Sequence, residues 1–267
     1  TVREVEEELG ITVFMRNNRG ITVTAEGEEF LGYAKQVVEQ YHLLENRYLN
    51  VESKKKFSVS MQHYSFAVKA FVQLAKEVGM DEYEFAVHET KTKEVIDNVK
   101  NLKSEIGVLY LSDFNEKVLR KLFKECDIEF KELFTCNTYV YLWKKHPLAG
   151  KKVITLDDLQ EYPCLTFEQG VNNSFYYAEE MMSTYEYKRV IKADDRATML
   201  NLMVGLNGFT LCSGIISEDL NGDDYAAIPL KESEKMHIGY IKHKGTKLSK
   251  LGEIYIDALK NYENKVL

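Results

Sequence analysis

The chain has 267 residues, 45% hydrophobic and 29% charged, with a formal net charge of −7; that length and balance suit a globular protein of about two domains. The acid excess excludes a surface that binds nucleic acid broadly, though not a small, locally basic reading head. No apolar run approaches the ~20 residues of a membrane-spanning helix, and the opening Thr1-Val2-Arg3-Glu4 does not read as an export signal.

Residues 2–9 read as the end of a helix, with Val2, Val5 and Leu9 on one face and Gly10 as its C-terminal stop. Val13-Phe14, the turn Asn17-Asn18-Arg19-Gly20, and Ile21 alternating with Val23 predict a small basic-tipped hairpin. Helix followed by hairpin is the C-terminal half of a winged helix-turn-helix. Thr24 then caps a long helix, 25–50, of roughly 40 Å. In it Phe30, Ala34, Val37, Tyr41, Leu44 and Tyr48 recur at alternating spacings of four and three. Such a heptad seam asks for a partner helix, which makes it a dimerisation helix; the plainer alternative is packing on its own globular domain. Lys54-Lys55-Lys56 ends the pattern and reads as a linker.

From Phe57 onward strands and helices alternate. Strands are expected at 57–61, 84–89 and 105–111, and helices at 65–78, 93–102 and 115–125. This βαβαβ run implies a mostly parallel sheet covered on both faces. A long strand region follows at 131–145, then a turn at His146-Pro147-Leu148-Ala149 and a short helix at 155–159. The series continues with a strand at 162–168, a helix at 172–185, a strand at 188–194, a helix at 196–206 and a strand at 207–214. The chain returns through 225–231 and 237–244 and ends in a helix, 248–265. The division is therefore 1–23, remainder of a winged helix-turn-helix; 24–56, linker or dimerisation helix; and 57–267, a two-lobed α/β domain. Lobe I takes about 57–136 and 237–267, and lobe II about 137–236. Two lobes joined by two chain crossings leave a cleft at the C-terminal ends of strands, where ligands collect.

Loops after those strand ends supply the candidate ligand contacts. Backbone N–H groups at helix starts favour an anionic group there. The first loop is Gln62-His63-Tyr64-Ser65, with Ser65 as the expected N-cap; its hydroxyl either caps the helix or binds a carboxylate or sulfate. His63 is a ligand donor or a solvated loop histidine. Thr90 and Tyr110 end the next two strands. In lobe II the candidates are Phe167 and Glu168, Asn173 and Ser174, Asp195 and Arg196, and Cys212. Arg196 could hold an anion in bidentate fashion, unless Asp195 already engages it. The four cysteines, at 126, 136, 164 and 212, form no CxxC and no zinc spacing. They read as buried reduced thiols, with a redox-sensing or ligand-contacting Cys212 as the sharper alternative. No cofactor, metal or catalytic residue is assigned.

Several of these residues resemble a known family, the LysR-type transcriptional regulators. Glu8-Leu9-Gly10, Val13-Phe14, Arg16, Arg19-Gly20 and Thr24-Ala25-Glu26-Gly27 are similar to the family signature that closes the recognition helix, forms the wing and opens the linker helix. Lys145-His146-Pro147-Leu148-Ala149, Asp158-Leu159 with Tyr162-Pro163, and Val204-Gly205-Leu206-Asn207-Gly208-Phe209 continue the resemblance. It implies a sensor domain like type 2 periplasmic binding proteins, a homodimer or homotetramer, promoter DNA as partner, a cytoplasmic location and no enzymatic activity. It also implies DNA contacts by Arg3, Arg16 and Arg19, where the plain alternative is a solvated basic turn. The family carries further helices before this point, so the sequence reads as N-terminally incomplete. Two other classes stand beside this reading: a solute-binding protein of a transporter and, further off, an enzyme on the same fold. Neither uses the wing or the heptad helix, and no nucleophile elbow, P-loop or metal motif is present.

Overall fold

A computed structural model describes residues 1–17, 20–48, 54–79, 82–172 and 174–262. Helix α1 (Val2–Leu9) starts at a capping box: Glu4 N–H donates to the Thr1 hydroxyl, and the Glu4 side chain reaches back. It stops at Gly10, which is left-handed at φ 67°. Glu6 fixes the next turn by accepting from Val13 N–H (2.6 Å) and Phe14 N–H (3.0 Å). Strands β1 (Phe14–Asn17) and β2 (Gly20–Val23) form the expected antiparallel hairpin.

Helix α2 (Ala25–Tyr48) opens with Thr24, whose hydroxyl accepts from Gly27 N–H at 2.8 Å and donates to Thr12 O. Gly27 is required by packing. A Cβ there would stand 2.2 Å from the backbone oxygen of the buried Val13. The Thr-x-x-Gly spacing is thus a cap and a close approach in one turn. In the seam Phe30 and Ala34 are half-buried, whereas Val37, Tyr41 and Leu44 are exposed. The Tyr48 side chain lies outside the described residues.

Lobe I contains β3 (Lys55–Met61), α3 (Ser65–Val78), β4 (Tyr83–Glu89), α4 (Thr92–Lys100), β5 (Ile106–Leu111), α5 (Glu116–Glu125) and β6 (Ile128–Cys136). The returning β12 (Met236–His243) and the last helix α9 (Lys250–Lys260) complete it. The sheet order is β4-β3-β5-β12-β6; β3 is parallel to β4 and β5, and β12 is antiparallel to β5 and β6. All six residues of β5 are buried, as a strand covered on both faces demands. One core packs α3 and α9 on the sheet through Phe66, Ala70, Leu74, Tyr255 and Leu259. A second, with Val95, Ile96, Val99, Leu119 and Phe123, covers the opposite face.

Lobe II contains β7 (Tyr139–Trp143), α6 (Leu156–Leu159), β8 (Cys164–Phe167), β9 (Val190–Ala193), α7 (Arg196–Leu206), β10 (Thr210–Cys212), α8 (Glu218–Asn221) and β11 (Tyr225–Pro229). β7 lies between β10 and β11, antiparallel to both; β8 is parallel to β9 and bridges to Phe209 beside β10. The expected long strand at 131–145 is therefore two strands in two sheets. The break falls at Asn137-Thr138, where Thr138 turns its N–H and hydroxyl to Ser233 and Glu234.

Two expectations fail. The helix expected over 172–185 does not form; among the described residues of that span the one regular element is a 3-10 turn, Phe175–Tyr177. The rest is irregular and is held from outside by lobe I. Ser65 is not an N-cap: it is the first residue of α3, Tyr64 is the cap, and no side-chain cap bond is made.

The family motif around His146 has a clear role. Leu148 N–H donates to His146 Nδ1 at 3.0 Å, so Nε2 carries the proton and donates to Asn207 O at 2.9 Å. Burial lowers the His146 pKa, which keeps this neutral tautomer. Asn207 is left-handed at φ 50° and closes α7, and its side chain also accepts from Trp143 Nε1.

Candidate functional site

A cavity of about 90 Å³ opens between the lobes at the strand ends. Lobe I contributes His63, Tyr64, Ser65 and Phe66 from the β3–α3 corner, with Met236 from β12. Lobe II contributes Tyr141, Phe167, Arg196, Met199, Met203, Thr210, Cys212 and Asn221. Ile215 and Ile216 extend the apolar wall, and Glu179 and Glu180 bring two buried carboxyl groups into it.

Of the residues singled out in the sequence, His63, Tyr64, Ser65, Phe167, Arg196 and Cys212 line this cavity. Gln62 and Tyr110 are buried behind it. Gln62 donates to the Thr92 hydroxyl and accepts from Tyr110 N–H and the Tyr64 hydroxyl, so it organises the corner. Thr90 donates to Glu94 at the start of α4 and does not line the cavity. Glu168 pairs with Lys192, and Ser174 is exposed. Asn173 lies outside the described residues. Asp195 caps α7 through Thr198 N–H rather than holding Arg196. Arg196 pairs instead with Glu89, at the end of β4 in the other lobe.

Further contacts also cross between the lobes. The His63 ring stacks on Phe167 with centroids 3.6 Å apart and planes at 6°. Lys91 pairs with Asp194 at 3.4 Å, and Phe114 stacks on Tyr176. The irregular segment 168–182 makes the densest set. Gln169 accepts from Thr92 N–H, the first amide of α4, and donates to Glu179. The Thr92 hydroxyl donates to Tyr177 O at 2.7 Å, and the Tyr110 hydroxyl to Ala178 O at 3.0 Å. Glu179 accepts from His63 N–H at 2.9 Å and lies 2.8 Å from His63 Nδ1.

Sequence reading missed Glu179 and Glu180, because a Glu-Glu pair in an apparent helix pattern reads as its solvated face. In fact each is only 6% exposed. Burial, reinforced by the neighbouring Glu179, raises the Glu180 pKa to about 8, against the pull of its bond from Phe167 N–H. At neutral pH this carboxyl is largely protonated and able to donate. The Thr210 hydroxyl, also in the cavity wall, is buried without a hydrogen-bond partner. Such a group has lost its water and gained nothing in return.

Burial pushes the Cys212 thiol up to about 12, against the Gly214 N–H that favours its thiolate. The thiol is therefore held protonated in the cavity wall. All four cysteines are free. Among the described residues, no group of His, Cys, Asp and Glu side chains could hold a metal ion, and no helix is long and apolar enough to cross a membrane.

At the other end of the chain, Arg3 is exposed and pairs with Glu7 at 3.2 Å. Arg16 lies in β1 with its side chain outside the described residues, as is all of Arg19.

A family model described as the LysR substrate binding domain matches residues 80–263. The transcriptional dual regulator GltC of Bacillus subtilis (strain 168) is 28% identical over 179 residues, 63% of this chain and 54% of GltC, so the match spans about half of that relative. The HTH-type transcriptional regulator CysL of the same organism is 24% identical over 278 residues, covering 100% of this chain and 88% of CysL. Among solved structures, a full-length OxyR variant from Pseudomonas aeruginosa shares the fold with a TM-score of 0.70 at 16% identity, covering 97% of this chain and 83% of that one.

Proposed function

The chain belongs to the LysR family, whose substrate binding domain it carries at residues 80–263, and on that premise we propose that it is a DNA-binding transcriptional regulator whose two-lobed domain senses a small-molecule effector. The observation that carries this reading is the interlobe cavity. His63, Ser65, Glu180, Arg196 and Thr210 are among the residues that bring polar groups from both lobes into a largely apolar wall, the usual make-up of a specific ligand site. Residues 1–23 are the DNA-holding end, with Arg3, Arg16 and Arg19 on phosphate or in the minor groove. Residues 24–56 join two copies through the seam of Phe30, Ala34, Val37, Tyr41, Leu44 and Tyr48, in a homodimer or a tetramer of dimers. Residues 57–267 are the sensor. The protein works in the cytoplasm and catalyses nothing.

Effector binding shifts the population between two lobe arrangements, and the assembly passes that shift to the spacing of its DNA-reading heads. Only an effector that binds the two arrangements unequally does this. The test is a thermal-shift panel of amino acids and their precursors, aromatic and dicarboxylic acids and inorganic sulfur anions. An effector present at one hundred times its Kd adds about 2.7 kcal/mol, or roughly 5–10 °C for a domain of this size. Ser65→Trp, which fills the mouth, is expected to remove the shift. A panel hit that survives Ser65→Trp would put the effector elsewhere. For the DNA end, Arg19→Gln is expected to weaken promoter binding and to lower the salt slope by about one; unchanged binding would take Arg19 out of the interface.

A further inference from the structure

We propose that the cleft is a carboxylate-binding site that the chain keeps closed with its own Glu179, and that an effector carboxylate enters by replacing Glu179 on His63 and expelling segment 168–182 from lobe I. This rests on the effector reading above and adds the ligand class and the manner of entry.

Glu179 sits as a bound carboxylate would. One oxygen takes both the backbone N–H and the ring nitrogen of His63, and the other accepts from Gln169 at 2.9 Å. His63 lies at the β3–α3 corner, where strand end meets helix start. The Gln169 side-chain carbonyl likewise occupies the first amide of α4, at 3.1 Å. Donors able to take a small anion from outside are thus filled from within the chain.

The space left over is small. At about 90 Å³ the cavity falls below the ~150 Å³ that admits benzene in an engineered core. An effector larger than a few heavy atoms is enclosed by both lobes only if part of the wall leaves. Segment 168–182 is the part built to do so. Among its described residues only one 3-10 turn is regular, and its polar anchors on lobe I are side-chain and carbonyl bonds at Thr92, Tyr110 and His63, with Met181 at its far end as the apolar anchor.

The surroundings fit a carboxylate with a further polar group. Thr210, 6% exposed, offers a hydroxyl that nothing among the described residues satisfies. Glu180 flanks the site, and its carboxyl, held protonated by burial, can donate to an anion. Arg196 supplies a cation whose present partner, Glu89, belongs to the opposite lobe. Met199 and Met203 accept an apolar body.

The experiment is chemical rescue. Thermal unfolding of the wild-type chain and Glu179→Ala is measured in sodium acetate, sodium chloride and methylammonium chloride at matched ionic strength. In chloride the variant is expected to melt roughly 5–10 °C lower, as for a buried pair that loses one partner. Acetate is expected to restore at least half of that loss and to leave the wild type unmoved. Equal melting in acetate and chloride would overturn the proposal, as would stabilisation of the wild type by methylammonium, which would mark the carboxyl pair as a cation site. Should Glu179→Ala not fold, Glu179→Gln keeps the shape and loses the charge. Amide exchange over 168–182 is then expected to quicken about tenfold while β5 stays protected, and unchanged exchange would overturn the displacement. The two readings fail separately. A panel effector that Ser65→Trp abolishes, yet that binds Glu179→Ala no more tightly than wild type, leaves the cleft reading intact and removes the internal carboxylate. Acetate rescue together with an effector insensitive to Ser65→Trp keeps the carboxylate site and moves the effector elsewhere.

Discussion

Lobe I meets the cleft with backbone fixed by β3, β5, α3 and α4, whereas lobe II meets it with segment 168–182, which lobe I itself holds in place. The first side is a scaffold. Its strand ends are buried, and Phe66 is 1% exposed beneath the α3 corner. The second side is an applied piece. Its order comes from Thr92, Tyr110 and His63 across the gap, together with Met181 in the core of lobe I. Elements of low intrinsic stability are where ligand-linked motion is found. The contrast therefore says which side moves when the cleft is filled.

Substitutions can break that contrast, beginning with the scaffold. Phe66→Ala is expected to cost about 3–5 kcal/mol by leaving a cavity among Tyr64, Phe134 and Tyr262. Denaturant unfolding would measure it, and a cost under about 1 kcal/mol would mean that the α3 corner is not rigid. Gln169→Ala removes one acceptor between the lobes and one donor to Glu179 within the segment, and orphans the buried Thr92 N–H. About 1–3 kcal/mol is expected, with faster exchange over 168–182 and little change in β5. Equal loosening of both would show one cooperative unit instead of scaffold and strap.

Glu180→Gln sharpens the comparison through pH. Folding raises this pKa from the ordinary 4.5 to about 8. The folded state thus holds a proton that the unfolded state has released. That contribution is intact below pH 4.5 and is lost as pH rises through about 8. Glutamine mimics the protonated carboxyl. Melting temperatures of wild type and variant should therefore run close at pH 5 and separate towards pH 8.5, with the variant higher; parallel curves would show that Glu180 is not the group titrating. The smallest effect is expected from Phe175→Ala. Phe175 is 60% exposed on the outer side of the strap, so stability should change within about 0.5 kcal/mol. A larger loss would mean that the 3-10 turn packs on something in the assembled protein.

The legible part of the molecule was the part whose cause is local. Helix 65–78 is expected with the bounds the structure shows, because Phe66, Ala70, Phe71, Leu74 and Val78 recur at helical spacing. The β1–β2 hairpin, Gly10 and the Thr24 cap followed from turn and capping chemistry in the same way. In the cleft, strand-end logic found His63, Ser65, Phe167, Arg196 and Cys212. The helix expected at 172–185 had no such local cause: Phe175, Tyr176, Met181 and Met182 stand at spacings of one, five and one, and Tyr177 and Ala178 give carbonyls to Thr92 and Tyr110. These bonds hold an irregular path in which Met181 joins the core of lobe I.

By itself the sequence determined the elements, their alternation and the strand-end corners, since each depends on neighbours within a few turns of chain. The tertiary structure alone decided that Glu179 is a buried hydrogen-bond partner of His63 rather than a solvated helix residue. His63 stands 116 positions earlier, and the burial of a polar group depends on what surrounds it in space, which residue spacing does not encode.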